Sequence, residues 1–341
     1  MFATLTTGLG RTCFSIGVRA LGVCLVVAAI GGAGLPCTAA AQAYGCIGTW
    51  GGQGSQQGQF FNPTGIAIDR SGAIFVVDTQ NHRVQKFDAD GNFIQAWGRQ
   101  GAGRGELDGP VGIAVDARDN VYIADRGNAR IVKFDVNGRY LIEWGGEGTR
   151  KGQFDWPLGV AVDAQGFVYV ADYNNCRVQK FDSQGRFQLQ WGSQGTGSGQ
   201  FLEPTSIVVS PGGIVYVGDF GADRVQMFGT NGSFQGLWGG SGSGPGQFGG
   251  VGGLALDERG RVFVADSGNH RVQVFDAGGA YVTRWGAWGQ AEGQFDYPAG
   301  IVLDSQGTVF VTDALNSRVQ RFAVTTAVRS TTWSGVKRLF R

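Results

Sequence analysis

Gly65-Ile-Ala-Ile-Asp69, Ile74-Phe-Val-Val-Asp78, Arg83-Val-Gln-Lys-Phe-Asp88 and Phe93-Ile-Gln-Ala-Trp97 are four short β patterns in direct succession. The first two are nearly all apolar, which predicts strands buried on both faces. The third alternates apolar and polar, which predicts a place nearer a rim. Arg70-Ser-Gly72 and Ala89-Asp-Gly91 separate them as tight turns whose glycines accept a positive φ. No segment shows the 3.6-residue period of an amphipathic helix, so a helical solenoid is excluded.

The same unit returns along the chain. Trp50, Trp97, Trp144, Trp191, Trp238 and Trp285 stand 47 residues apart, and so do Asp78, Asp125, Asp172, Asp219, Asp266 and Asp313. Arg83, Arg130, Arg177, Arg224, Arg271 and Arg318 keep that step without insertion or deletion. Four antiparallel strands in a period of this length make a propeller blade. The chain opens on an outer-strand pattern, Cys46-Ile-Gly-Thr-Trp50, with no three strands before it. It ends on three strands through Phe322, and the next tryptophan, Trp333, is one residue off the step. The N-terminal strand is therefore expected to complete the last blade and close the ring. The predicted fold is all-β: a six-bladed β-propeller of four-stranded antiparallel blades.

Composition agrees. Of 341 residues, 61 are glycine and 8 proline, as many turns between short strands require. Arg11 and Arg19 precede the apolar run Ala20–Ile30, and Ala41-Gln42-Ala43 offers a small-x-small cleavage pattern. Residues 1–43 are thus expected to be a signal peptide cleaved after Ala43, the alternative being a retained anchor. The run is short and interrupted by glycine for a membrane span, so none is expected in the mature chain. The product would be secreted or periplasmic. Cleavage would leave only Cys46 and Cys176, so no disulfide framework is expected. Residues 44–323 hold 22 basic and 27 acidic residues, a net of −5, and residues 324–341 form a basic tail. A nucleic-acid partner calls for clustered positive charge, so that class is disfavoured.

Pro63-Thr-Gly-Ile-Ala-Ile-Asp69 and Asp78-Thr-Gln-Asn-His-Arg-Val-Gln-Lys-Phe87, with their counterparts downstream, resemble the NHL repeat over residues 45–323. Proteins similar in this way include RNA-binding propellers of tripartite-motif proteins, sensor domains of bacterial receptor kinases and peptidyl-hydroxyglycine amidating lyases. The resemblance implies the fold, in an exported bacterial-type protein, and leaves the function open. In the amidating lyases it implies zinc histidines directly after the inner-strand proline. Those positions here hold Thr64, Val111, Leu158, Thr205, Gly252 and Ala299, so that site does not carry over.

The Asp–Arg pairs recur in every blade, whereas an active site is asymmetric, so they are expected to lock turns. Function is sought where the copies differ. The residues before the proline and after the turn aspartate share one face in a propeller. There Arg126, Asp155, Trp156, Tyr173, Glu203, Phe220 and Tyr297 supply aromatic and charged groups, mostly in blades three and four. Aromatic anchors beside carboxylates suit a protein, peptide or carbohydrate ligand. Blade four also departs from the pattern, with Ser206 for glycine, Ser210 for aspartate and Ala222 for asparagine. No cofactor is expected. The one metal hypothesis is zinc or calcium at His82, Cys176 and His270, which occupy one turn position in alternate blades. Two functions remain: a binding scaffold without catalysis, or a lyase or hydrolase that uses the central channel, with or without a metal.

Overall fold

The computed structural model describes residues 43–325. The expected signal peptide lies outside them apart from Ala43, and the basic tail apart from Val324 and Thr325. Among the described residues, 24 strands form six four-stranded antiparallel sheets. The first blade runs Pro63–Ile68, Ile74–Asp78, Arg83–Phe87 and Phe93–Trp97 from the axis outward. In the sixth, Pro298–Leu303, Val309–Asp313 and Arg318–Thr325 are completed by Ala43–Gly51, which pairs antiparallel with Arg318–Thr325. The ring is closed by its N-terminal strand, as expected. No helix among the described residues is long and apolar enough to cross a membrane.

The core lies between blades, where second- and third-strand side chains of one sheet meet those of the next. The tryptophans wedge there. The Trp97 ring is 5.9 Å from Phe75 of its own blade and 6.1 Å from Phe134 of the next. It also covers Gly138, where a Cβ would come 2.6 Å from the indole. Tyr44 holds the equivalent of that glycine position in the closing blade. Its ring stacks on Trp285 at 4.3 Å and 19°. Along the axis the first strands approach so closely that a Cβ on Gly112 would meet the Leu158 carbonyl oxygen. This explains the glycine that follows Pro-x in most blades.

The third strand is not at a rim. Gln85, Gln179, Gln226, Gln273 and Gln320 are fully buried. Each amide is consumed by its own blade: Gln179 Nε2 donates to the Gln153 carbonyl at 2.7 Å and to Asp172 at 3.1 Å, and its Oε1 accepts from Gly152 N at 2.9 Å. The polar alternation records internal hydrogen bonding rather than exposure.

Candidate functional site

The loops of one face are fixed by the repeated aspartate. Asp172 Oδ2 accepts from Arg177 Nε at 2.7 Å, and its Oδ1 accepts from Asp155 N at 2.8 Å. Asn175 donates to both the Asp172 carboxylate and the Gly148 carbonyl. The remaining Arg177 nitrogens donate to the carbonyls of Thr149, Arg150 and Gln153, so the glycine-rich connection is tied down. All six Asp–Arg pairs form, at 2.6 to 3.0 Å. The turn carboxylates on the opposite face cap their own turns, as Asp163 does for Gln165 N and Phe167 N. Both sets are structural.

On this frame the pre-proline and post-aspartate residues ring the channel mouth. The mouth opens into a cavity of about 320 Å³ whose rim includes Arg126, Phe220 and Tyr297, three of the expected site residues. Below the rim the wall is mostly glycine and aliphatic side chains, with the hydroxyls of Thr64, Thr205, Ser206 and Ser267 among them. The turn residues Arg126, Phe220 and Ser267 reach the next blade. The Arg126 guanidinium lies 5.1 Å from the centre of the Trp156 ring, a cation–π contact. Trp156 and Tyr173 stack with centroids 6.3 Å apart and planes 28° from parallel. Burial, and after it the Glu203 carboxylate close by, push the Tyr173 hydroxyl up to about 12. Burial first and Glu203 second also raise Tyr297 above its ordinary value. Arg126, Trp156, Tyr173 and Glu203 thus form a continuous strip from blade two to blade four. Phe220 packs over Gly250, beyond its end. Asp155 does not join the strip: its carboxylate accepts from Asn174 at 2.8 Å and holds the loop.

The pre-proline position is left-handed in most blades. Asn62, Trp156 and Tyr297 have φ of 57°, 57° and 60°, and Gly109 and Gly250 take 52° and 105°. Bulky side chains in this region carry strain, and such residues gather where a ligand must be met. Blade four is the exception, for a traceable reason. Ala222 removes the asparagine amide, and Asp219 Oδ1 then accepts from both Leu202 N and Glu203 N at 2.9 Å. Glu203 leaves the left-handed region, which directs its side chain toward Tyr173. Ser206, the other departure, fits because Gly218 replaces a larger residue beside it. The strain has a measurable consequence. Tyr297→Gly is expected to be more stable than Tyr297→Ala by about 1 kcal/mol in urea unfolding, since only alanine retains the left-handed penalty. Equal stabilities would mean that the position carries no strain.

His82, Cys176 and His270 are not brought together. Each turns to the next blade's lead-in loop: His82 Nδ1 accepts from Gly109 N at 3.0 Å and His270 Nδ1 from Tyr297 N at 3.2 Å. Cys176 Sγ donates to the Leu202 carbonyl at 3.2 Å, and burial raises its thiol, which disfavours the thiolate. The shared turn position aims these side chains around the ring, not across it. Among the described residues, no three His, Cys, Asp or Glu side chains are placed to hold an ion together. The polar rim of blade one, Asn62, Thr79 and Gln80, and the exposed Phe61 and Leu315 are not among the expected site residues. Asn62, Thr79 and Phe61 occupy the same variable positions that revealed Trp156, Tyr173 and Asp155. An amide and a hydroxyl there simply stood out less than aromatic rings.

The NHL repeat model matches residues 154–181, 248–275 and 295–322, and a model described as a six-bladed β-propeller matches residues 61–144. Protein lin-41 of Caenorhabditis elegans is 50% identical over 52 residues, 15% of this chain and only 4% of that protein. A protein of unknown function from Bacteroides thetaiotaomicron is similar in structure at a TM-score of 0.68, with 18% identity over 83% of this chain and 76% of that one. A gluconolactonase of Xanthomonas campestris is similar at 0.59, with 15% identity over 84% and 99%. At these identities the structural likenesses show the fold alone. The chain carries NHL repeats arranged as a six-bladed β-propeller.

Proposed function

We propose that this propeller is an extracytoplasmic binding scaffold whose channel face takes a peptide segment of a partner. The observation that carries the reading is the strip Arg126–Trp156–Tyr173–Glu203, in which stacked rings lie between a cation and a carboxylate. Exposed aromatic side chains on rigid elements are the usual anchors of recognition, because large area is offered at little entropic cost. The cavity wall below is mostly glycine and aliphatic with a few hydroxyls, and no carboxylate is among its lining side chains. That composition holds a ligand; it offers no acid–base pair. Panning random peptides against the full chain, with a glycan array in parallel, tests this. Peptide binders are expected, and Trp156→Ala or Tyr173→Ala is expected to weaken them about 30-fold, the ~2 kcal/mol of an aromatic anchor. Binders indifferent to both changes, or turnover of a lactone panel, would overturn it.

Export is part of the same proposal. Tyr44 is the first side chain stacked into the ring, on Trp285, so a cut after Ala43 would leave the closing strand nearly whole. N-terminal sequencing of the protein recovered outside the cytoplasm is expected to begin at Tyr44. A start within residues 45–51 would mean that processing shortens the closing strand.

A further inference from the structure

The upper cavity has one charged lining side chain, Arg126, and it is a cation without a counter-ion. Among the described residues, Arg126 makes no hydrogen bond or ion pair. Its guanidinium face rests on Trp156 at 5.1 Å, which leaves the N–H edge free. Gly109 makes room for it: a Cβ there would lie 3.0 Å from Nη2. The other arginines nearest the channel face, such as Arg130 and Arg177, are fully used by aspartates and carbonyls. Arg126 is therefore not a frame residue; its counterparts in other blades are Thr79, Tyr173, Phe220, Ser267 and Ala314.

The space beneath it is largely apolar. Ile66, Ile113, Val160, Ile207, Leu254 and Ile301, one from each first strand, ring the channel and line both this cavity and a second one of about 420 Å³ below. Most hydroxyls that reach the wall are spent on neighbouring blades: Thr205 Oγ1 donates to the Val251 carbonyl at 2.7 Å and Ser267 Oγ to the Pro298 carbonyl at 2.7 Å, while the buried Ser206 Oγ has no hydrogen-bond partner among the described residues. A ligand that fills this space must place an apolar group on the aliphatic ring and an anion at the rim. A planar guanidinium fork matches a carboxylate in two parallel hydrogen bonds.

We infer that the upper channel binds the carboxylate end of a chain bearing an aliphatic side chain, the C-terminal residue of a peptide. This rests on the peptide-binding reading above and makes it specific: the terminus enters the cavity, and the strip from Trp156 outward carries the residues before it. The same chemistry would be met by a free aliphatic acid, so the probes separate the two. Titration calorimetry of the full chain uses N-acetyl-leucine, N-acetyl-leucine amide and 4-methylpentanoate. N-acetyl-leucine is expected to bind at least ten-fold more tightly than its amide, and Arg126→Gln to remove that difference without lowering the melting temperature. Ala299→Trp, which fills the cavity and leaves the guanidinium, is expected to abolish binding of the acid. Tighter binding of N-acetyl-leucine than of 4-methylpentanoate assigns the peptide source; the reverse overturns it. Equal binding of acid and amide overturns the carboxylate anchor, and no binding of either overturns the site. Peptides that dock through Trp156 with blocked C-termini would leave the scaffold reading standing while this inference falls.

Discussion

Asp172→Ala is expected to destabilise the ring by about 3–5 kcal/mol, more than any surface change in the same blade. The carboxylate is fully buried and accepts from Asp155 N, Asn175, Arg177 and Gln179. Burial lifts its proton affinity, and the hydrogen bonds and guanidinium pull the other way. Alanine leaves Arg177, itself only 6% exposed, without its counter-charge, and leaves several buried donors with nothing to bond. The loss also reaches the binding face, since Asp172 positions the backbone of Asp155 next to Trp156. Urea unfolding should show the drop in midpoint, and a peptide bound through Trp156 should weaken in parallel. Asn174→Ala, which removes an exposed bond to Asp155, should move the midpoint by no more than about 0.5 kcal/mol. If Asp172→Ala unfolds at the wild-type urea concentration, the turn aspartates are not the locks described here.

The ring was legible because its instructions repeat. Six copies at a constant step of 47 residues fix the strand count, the turn chemistry and the outer tryptophans. The orphan pattern Cys46–Trp50 announces the closing strand. The third strand was misplaced because alternation alone cannot separate a glutamine facing water from one facing Asp172. Both read as polar, and only the loop folded over the blade end decides. The site was legible as positions but not as an arrangement. Trp156, Tyr173, Arg126 and Glu203 were visible where the copies differ. That Asp155 is diverted to Asn174, and that Ala222 frees Asp219 to reposition Glu203, depends on hydrogen bonds with no periodic signature. The His82, Cys176 and His270 set failed for a related reason: equivalence in a rotational repeat brings side chains to the same radius, not to one another.

A chain that begins at Gly52 is expected to lose cooperative folding. Ala43–Gly51 pairs with Arg318–Thr325 from Ala43 opposite Thr325 to Gly51 opposite Arg318, with one irregularity between Cys46 and Gly48. Without it, Arg318–Thr325 becomes a bare edge strand able to pair with other chains. Two wedges vanish at once. Trp50 packs 6.0 Å from Phe87 and 6.1 Å from Phe310, so it seals the contact between blades six and one. Tyr44 covers Trp285 between blades five and six. Truncating one large buried aromatic costs about 3 kcal/mol or more; Trp50 and Tyr44 are half-buried, but both are lost together, and the covalent continuity of the sixth blade with the chain start is lost as well. In an ordinary linear repeat array an end can fray alone, because each unit touches only its neighbours. A ring has no free end, so opening one seam exposes the faces of two blades together. The shortened chain should aggregate or melt broadly, and adding a peptide of residues 43–51 in trans should restore a sharp transition and the Trp285 fluorescence environment. Unfolding as sharp and at the same temperature as the intact chain would mean that the other three strands of blade six hold the ring unaided.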